Sequence, residues 1–200
     1  MKRKHVSLIL FSALCLSLLI GSAQLARDSQ LNEKLVRLHV IAASDSEKDQ
    51  RVKLLVRDAV LEKIDSMQLL TTQQAIDTLC ASLASLAETA QEVLHREGFA
   101  DDVQVRLCTE QYPMRQYGSF SLPAGEYVSL QIRLGEAEGQ NWWCVVYPGL
   151  CHACDEGVFA QAAEAAGFSD GQIRLMTLDS KTVQFRFKLL ELVQKLKNFF

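Results

Sequence analysis

The chain has 200 residues, 48% of them apolar, with 21 basic and 24 acidic side chains and a formal net charge of −3. That length suits one domain plus a targeting segment, and the apolar content supplies a core that needs neither disulfides nor a metal to hold it. Three of the basic residues, Lys2, Arg3 and Lys4, lie at the extreme N-terminus, so the remainder carries 18 basic against 24 acidic groups, a net of −6. An acidic domain lacks the clustered Lys and Arg that nucleic acid demands, which excludes that partner class, and it has no global attraction to anionic lipid.

Residues 1–23 read as a signal peptide: the Lys2-Arg3-Lys4 positive region, the apolar stretch from Val6 to Ile20, then the small residues Gly21-Ser22-Ala23. The apolar stretch falls short of the about 20 residues a bilayer core requires, and retention as an N-terminal anchor is the alternative. Residues 24–200 are expected to form a single exported domain. Leu35 to Ala42 then alternates Val36, Leu38 and Val40 against Arg37 and His39, a strand pattern. Ser44 with Glu47, or Ser46 with Asp49, makes a capping box for a helix whose apolar stripe runs through Val52, Leu55, Val56, Ala59, Val60 and Ile64. A second, long helix is expected over 71–97, capped by Thr71 with Gln74, carrying Ile76, Leu79, Leu83, Leu86, Ala90 and Val93, and ended by Gly98. Cys80 lies beside that stripe.

Val103, Val105 and Leu107 alternate with Gln104, Arg106 and Cys108 as a half-buried strand, and 112–120 reads as a long connection. Leu122-Pro123-Ala124-Gly125 is a turn before another alternating strand, Val128 to Leu134, and the short link that follows predicts a hairpin between 126–134 and the next strand. That next strand is Gly139-Gln140-Asn141-Trp142-Trp143-Cys144-Val145-Val146-Tyr147-Pro148-Gly149-Leu150-Cys151. Neighbouring strand residues face opposite ways, so Trp142 and Trp143 cannot enter one core together. Pro148-Gly149 turns the chain so that Cys151 can approach Cys144. Beyond it, Ala160 to Ala166 predicts a short helix, Ile173 to Leu178 a strand, and Lys181 to Phe200 a basic amphipathic helix suited to its own domain or to a membrane surface. The sum is an α+β domain, a mostly antiparallel sheet packed against a pair of long helices, with a C-terminal amphipathic helix.

Two clusters invite a chemical reading. His39 with Asp45 or Asp49 could form a base and its orienting acid, but no Gly-x-Ser-x-Gly elbow or His-Glu-x-x-His pair accompanies them, and acids at a helix N-terminus have a sufficient structural role. Cys144, Cys151, His152 and Cys154 could form a disulfide, remain thiols or hold zinc; export favours a Cys144–Cys151 disulfide worth about 2.5 kcal/mol. Without Cys15 the chain keeps five cysteines, so at least one is unpaired or intermolecular, and Cys154 is the candidate, with Cys80 and Cys108 unassigned.

Three blocks carry a resemblance: Arg37-Leu38-His39-Val40-Ile41-Ala42 with Ser44-Asp45-Ser46 and Asp49-Gln50; Leu122-Pro123-Ala124-Gly125-Glu126-Tyr127; and Asn141-Trp142-Trp143-Cys144 with Pro148, Leu150 and Cys151. They resemble stage II sporulation protein R, an intercompartmental signalling family of endospore formers, with Ala43, Gln140 and Gly149 departing from its usual Asn, His and Pro. The resemblance implies export from the forespore into the intermembrane space. It also implies activation there of a membrane-embedded aspartic protease that matures a mother-cell sigma-factor precursor. It implies no enzyme activity, cofactor or metal, and it matches both Cys144 and Cys151. On that basis the partner-binding residues are expected to be Asn141, Trp142, Trp143, His39 and Asp45. The rival from another class is an exported cell-wall or peptide hydrolase using His39 with an Asp, or a metal held by Cys and His.

Overall fold

A computed structural model describes residues 31–150 and 156–177. Strand β1 (Val36–Ile41) is buried along its whole length, and everything else is arranged on its two sides. Helix α1 (Glu47–Asp65) starts where the Ser46 hydroxyl accepts the Asp49 amide at 3.1 Å, with Glu47 and Asp49 in the first turn. Its Val52, Val56, Val60 and Ile64 repeat every four residues and are buried, so one stripe faces the sheet. Helix α2 (Thr72–Arg96) is capped by Thr71, whose hydroxyl accepts the Gln74 amide at 3.1 Å. It buries Ala75, Leu79, Leu86, Ala90 and Val93, and ends at Gly98, whose φ of +79° is the left-handed closure glycine adopts without strain. The Lys63 ammonium ties the two helices by donating to the Ser85 carbonyl at 2.8 Å and the Thr89 hydroxyl at 2.9 Å. Cys80 points to solvent as a free thiol.

The chain continues through β2 (Val103–Tyr112), the short β3 (Arg115–Tyr117) and β4 (Phe120–Leu122), β5 (Gly125–Leu134), β6 (Asn141–Tyr147), α3 (Glu156–Ala165) and α4 (Asp170–Thr177). The main sheet has the order β2-β5-β1-β6, and β3 pairs with β4 as a separate hairpin. Two of the three main-sheet pairings are antiparallel, while β1 and β5 run parallel. This is the α+β class expected, with three corrections. The tryptophan strand pairs with β1 and not with the 126–134 strand, because the wholly buried β1 is inserted between them. The stretch from Ile173 belongs to helix α4, and 112–120 is largely strand. Apolar runs this short fit either element, so tertiary packing decides them. The amphipathic helix expected over 181–200 and the signal segment expected over 1–23 lie outside the described residues.

The β5–β6 link must cross the end of β1, and the crossing is tightly bonded. Gly139 and Glu138 amides donate to the Ala42 and Ala43 carbonyls at 3.0 and 3.2 Å, and the Gln140 amide donates to Asp45 Oδ1 at 2.9 Å. A Cβ on Gly139 would lie 2.2 Å from the Ser44 carbonyl oxygen, so only glycine lets the two loops touch. Lys53 completes the clasp, donating to the Gln140 carbonyl at 3.0 Å and to Gln50 Oε1 at 2.5 Å. Burial lowers the pKa of this lysine, with Asp45 opposing the shift.

Two layers result. Val36, Leu38, Val40, Leu130, Ile132, Cys144 and Val146 meet the α1–α2 stripes in one core. On the sheet's other face Leu35, Tyr112, Tyr127 and Val145 pack with Phe120 and Leu122 of the hairpin, with Phe159, Ala163 and Met176 of the last helical pair and with Phe168 of the turn between them.

Candidate functional site

The second face is where the sequence-selected residues gather. Alternation along β1 sends Arg37 and His39 away from the helices, and the register sets His39 opposite Trp143 on β6 and Gln131 on β5. The His39 ring, 5% exposed, stacks on Trp143 with centroids 3.7 Å apart and an 18° tilt. Its Nδ1 lies 3.0 Å from Glu110 Oε1, and its Nε2 lies 2.8 Å from the Asn141 side-chain oxygen. The imidazole donates to Glu110 and either donates to or accepts from the Asn141 amide, according to which way that amide is turned. Gln131 also donates to Glu110 Oε1, at 2.5 Å, and receives Arg106 Nε on its own oxygen at 2.7 Å.

One row further in, Arg37 is fully buried. Its guanidinium lies over the rings of Tyr112 at 4.0 Å, Tyr127 at 4.9 Å and Tyr117 at 5.5 Å, and it donates to the Tyr117 hydroxyl and to the Cys144 carbonyl. Cation–π contact with a desolvated arginine is worth about 2 kcal/mol, which offsets part of the cost of burying the charge. Burial pushes the phenols of Tyr112 and Tyr117 up, and the Arg37 charge pulls both back. Cys108, on the same face, is a free thiol that burial and then Glu110 push up, so it stays protonated and unreactive at neutral pH.

Of the residues singled out in the sequence, His39, Trp143 and Asn141 therefore form one contact set. Trp142 lies on the opposite face, 37% exposed, with the Arg57 guanidinium of α1 over its ring at 4.3 Å. Asp45 stands at the same end of the sheet, bonded to the Gln140 backbone, where it fixes the start of β6. The pairing of His39 with Asp45 or Asp49 is not formed. Asp49 bonds the Ser44 hydroxyl, and the imidazole's carboxylate partner is Glu110. With both ring nitrogens engaged and its face covered by indole, His39 serves to hold Trp143 in place. Cys144 is buried at the centre of β6, and its expected partner Cys151 lies outside the described residues, as do His152 and Cys154. Among the described residues no three His, Cys, Asp or Glu side chains gather as a metal set, and no helix is long and apolar enough to cross a membrane.

Sequence reasoning missed Glu110, Gln131 and the tyrosine cage around Arg37. The signal was present in β2, where Gln104, Arg106, Cys108 and Glu110 recur every second residue, a polar row that had to face something other than the helices.

Residues 32–156 match the family described as Stage II sporulation protein R. The chain is also 34% identical, over 121 residues, to the stage II sporulation protein R of Bacillus subtilis (strain 168), covering 60% of this chain and 54% of that protein. The chain thus spans about half the length of the curated relative it matches. No solved structure matches it. The matched region contains β1 to β6, both long helices and every described residue of the aromatic site, and on that extent the chain belongs to the stage II sporulation protein R family.

Proposed function

We propose that this chain is a sporulation signal that acts by docking: exported from the forespore, it activates a membrane-embedded aspartic protease that processes a mother-cell sigma-factor precursor. The observation that carries the reading is the family match over 32–156, which joins the chain to sporulation and to a family named for no reaction. The geometry is in keeping with it, because the polar cluster is spent on fixing aromatic side chains. To activate, such a ligand must bind the active state of the protease more tightly than the inactive one. An exposed tryptophan on a rigid strand is a favoured interface anchor. Trp142 is that residue, held by Arg57 on one side and by the clasped 139–141 segment at its base. Asn141, Trp143, His39 and Asp45 shape the same end of the sheet. In the oxidising intermembrane space Cys144 pairs with Cys151, closing the turn after β6; peptide mapping without reductant tests that bond. The C-terminal amphipathic segment lies close to the membrane that carries the protease.

The test is Trp142→Ala in a sporulating host. Export and the urea midpoint of the purified variant stay close to wild type, while sigma-factor processing is lost. Normal processing by this variant would remove Trp142 from the docking surface. Turnover of a cell-wall or peptide substrate by the purified wild-type chain, abolished by His39→Gln, would replace the docking reading with the hydrolase.

A further inference from the structure

Charge on the second face of the sheet runs against the charge of the whole chain. Paired residues share a face, so the register sets Arg106, Gln131, His39 and Trp143 in one row across the four strands. Gln104, Arg133, Ile41 and Asn141 form the next row toward the open end. Arg115 reaches in from the β3–β4 hairpin, 5.7 Å over the Trp143 ring. The four strands contribute a single carboxylate to this face, Glu110, and His39 and Gln131 already occupy it. Among the described residues Arg106, Arg115 and Arg133 form no ion pair, although the chain's net charge is −3. The Trp143 indole N–H is buried and has no hydrogen-bond partner among the described residues.

We infer that this row is a docking surface for an acidic, extended peptide segment of the protein partner, lying across the strands from Arg106 to Trp143. The inference rests on the docking reading above and names the chemistry of what docks. Three strand spacings separate the two ends, about 14 Å, the length of roughly four extended residues. The arginines are strung along that span and do not converge on one point, so several carboxylates on one chain satisfy them where a single small anion does not. Guanidinium groups pair with carboxylates in a planar, two-bonded geometry. Trp143, half-buried, supplies an apolar surface at the end of the run, and the buried Gln131 and His39 form the floor between it and Arg106. Beneath it, the bonded set of Glu110, His39 and Gln131 keeps the indole and Arg106 from moving, so little order is lost on binding.

The probe is fluorescein-labelled hexaglutamate, titrated against the purified chain at low salt, with hexalysine, inorganic phosphate and anionic vesicles alongside. Saturable binding of hexaglutamate alone is expected, weakening as salt rises through the range where the screening length drops below about 10 Å. Arg106→Gln with Arg133→Gln weakens it about tenfold, a loss of about 1.4 kcal/mol shared between two exposed charge pairs, while the thermal midpoint stays close to wild type. Arg106→Glu with Arg133→Glu turns the preference toward hexalysine, which a merely misfolded variant does not do. No saturable binding overturns the inference. So does equal binding by the double Gln variant, binding reproduced by phosphate, or binding to vesicles without binding to peptide. Failure here with sigma-factor processing still dependent on Trp142 leaves the activator role standing and removes only the acidic segment.

Discussion

The two faces of one sheet are built on different principles. The helix-covered core is made mainly of Val, Leu, Ile and Ala at helical and strand periods, and the one hydroxyl among its buried strand members, that of Tyr147, donates to the Leu70 carbonyl at 2.8 Å. The other face buries Arg37, His39, Ser129 and Gln131 among tyrosines and a tryptophan, and leaves Arg37 Nη1, Glu110 Oε2 and Trp143 Nε1 without partners among the described residues. Orphaned buried polar atoms each cost about 1–3 kcal/mol, so stability alone does not account for them. One face holds the domain together, and the other is kept polar at a cost in stability.

The comparison is broken most directly on the apolar side. Leu79 is fully buried between α2 and the sheet, so Leu79→Ala is expected to cost about 3 kcal/mol through lost burial and the cavity left behind. A urea midpoint that hardly moves would mean the helix layer is not the main source of stability. The tryptophans give the next effect. Trp143→Ala removes the stack on His39 and the contact with Tyr112 and should cost about 2 kcal/mol, whereas Trp142→Ala removes one exposed cation–π contact and should cost under about 1 kcal/mol. Equal losses would mean that the two faces do not divide the neighbours into a packed ring and an exposed one.

That division was legible in the sequence: period-two alternation alone separates Trp142 from Trp143 and Arg37 from Leu38. Both helices and their caps were legible for the same reason, since Ser46 and Thr71 satisfy amides three residues ahead. The strand order was not. A short link between β5 and β6 argues for a hairpin, and nothing local states that β1, nearly a hundred residues earlier, lies between them. The hint is Gly139, whose reason becomes visible only when the Ser44 carbonyl is found against it. Glu110 was hidden for a similar reason, because its meeting with His39 passes over β5, a strand that neither residue's neighbourhood specifies.

Arg37 offers a test of opposite sign. Among the described residues this buried guanidinium has one unpartnered nitrogen and no carboxylate ion pair, which is costly, and apolar replacement of such charges is often neutral or stabilising. Arg37→Met is therefore expected to raise the unfolding free energy by about 1 kcal/mol by urea titration, in contrast to the loss at Leu79. A loss comparable to that of Leu79→Ala would show that the tyrosine cage compensates the charge in full and that this face, too, is built for stability.

The smallest effect is read in alkali. Burial raises the pKa of Tyr112 and Tyr117, so above the ordinary tyrosine value of 10.0 the unfolded chain releases protons that the folded chain keeps. The stability these phenols contribute is intact below that value and is lost as pH rises through it toward the folded-state values. Near pH 10.5 the loss per phenol is under about 1 kcal/mol, and Tyr112→Phe should flatten the decline measured by urea titration between about pH 9 and about pH 11. Because the Arg37 charge holds both phenols down, Arg37→Met raises them further and extends the decline to higher pH. Combining Arg37→Met with Tyr112→Phe should therefore show less decline than Arg37→Met alone. If the alkaline limb is unchanged in all three variants, the guanidinium and the phenols do not sense one another, and the cage of the second face is a matter of shape without charge.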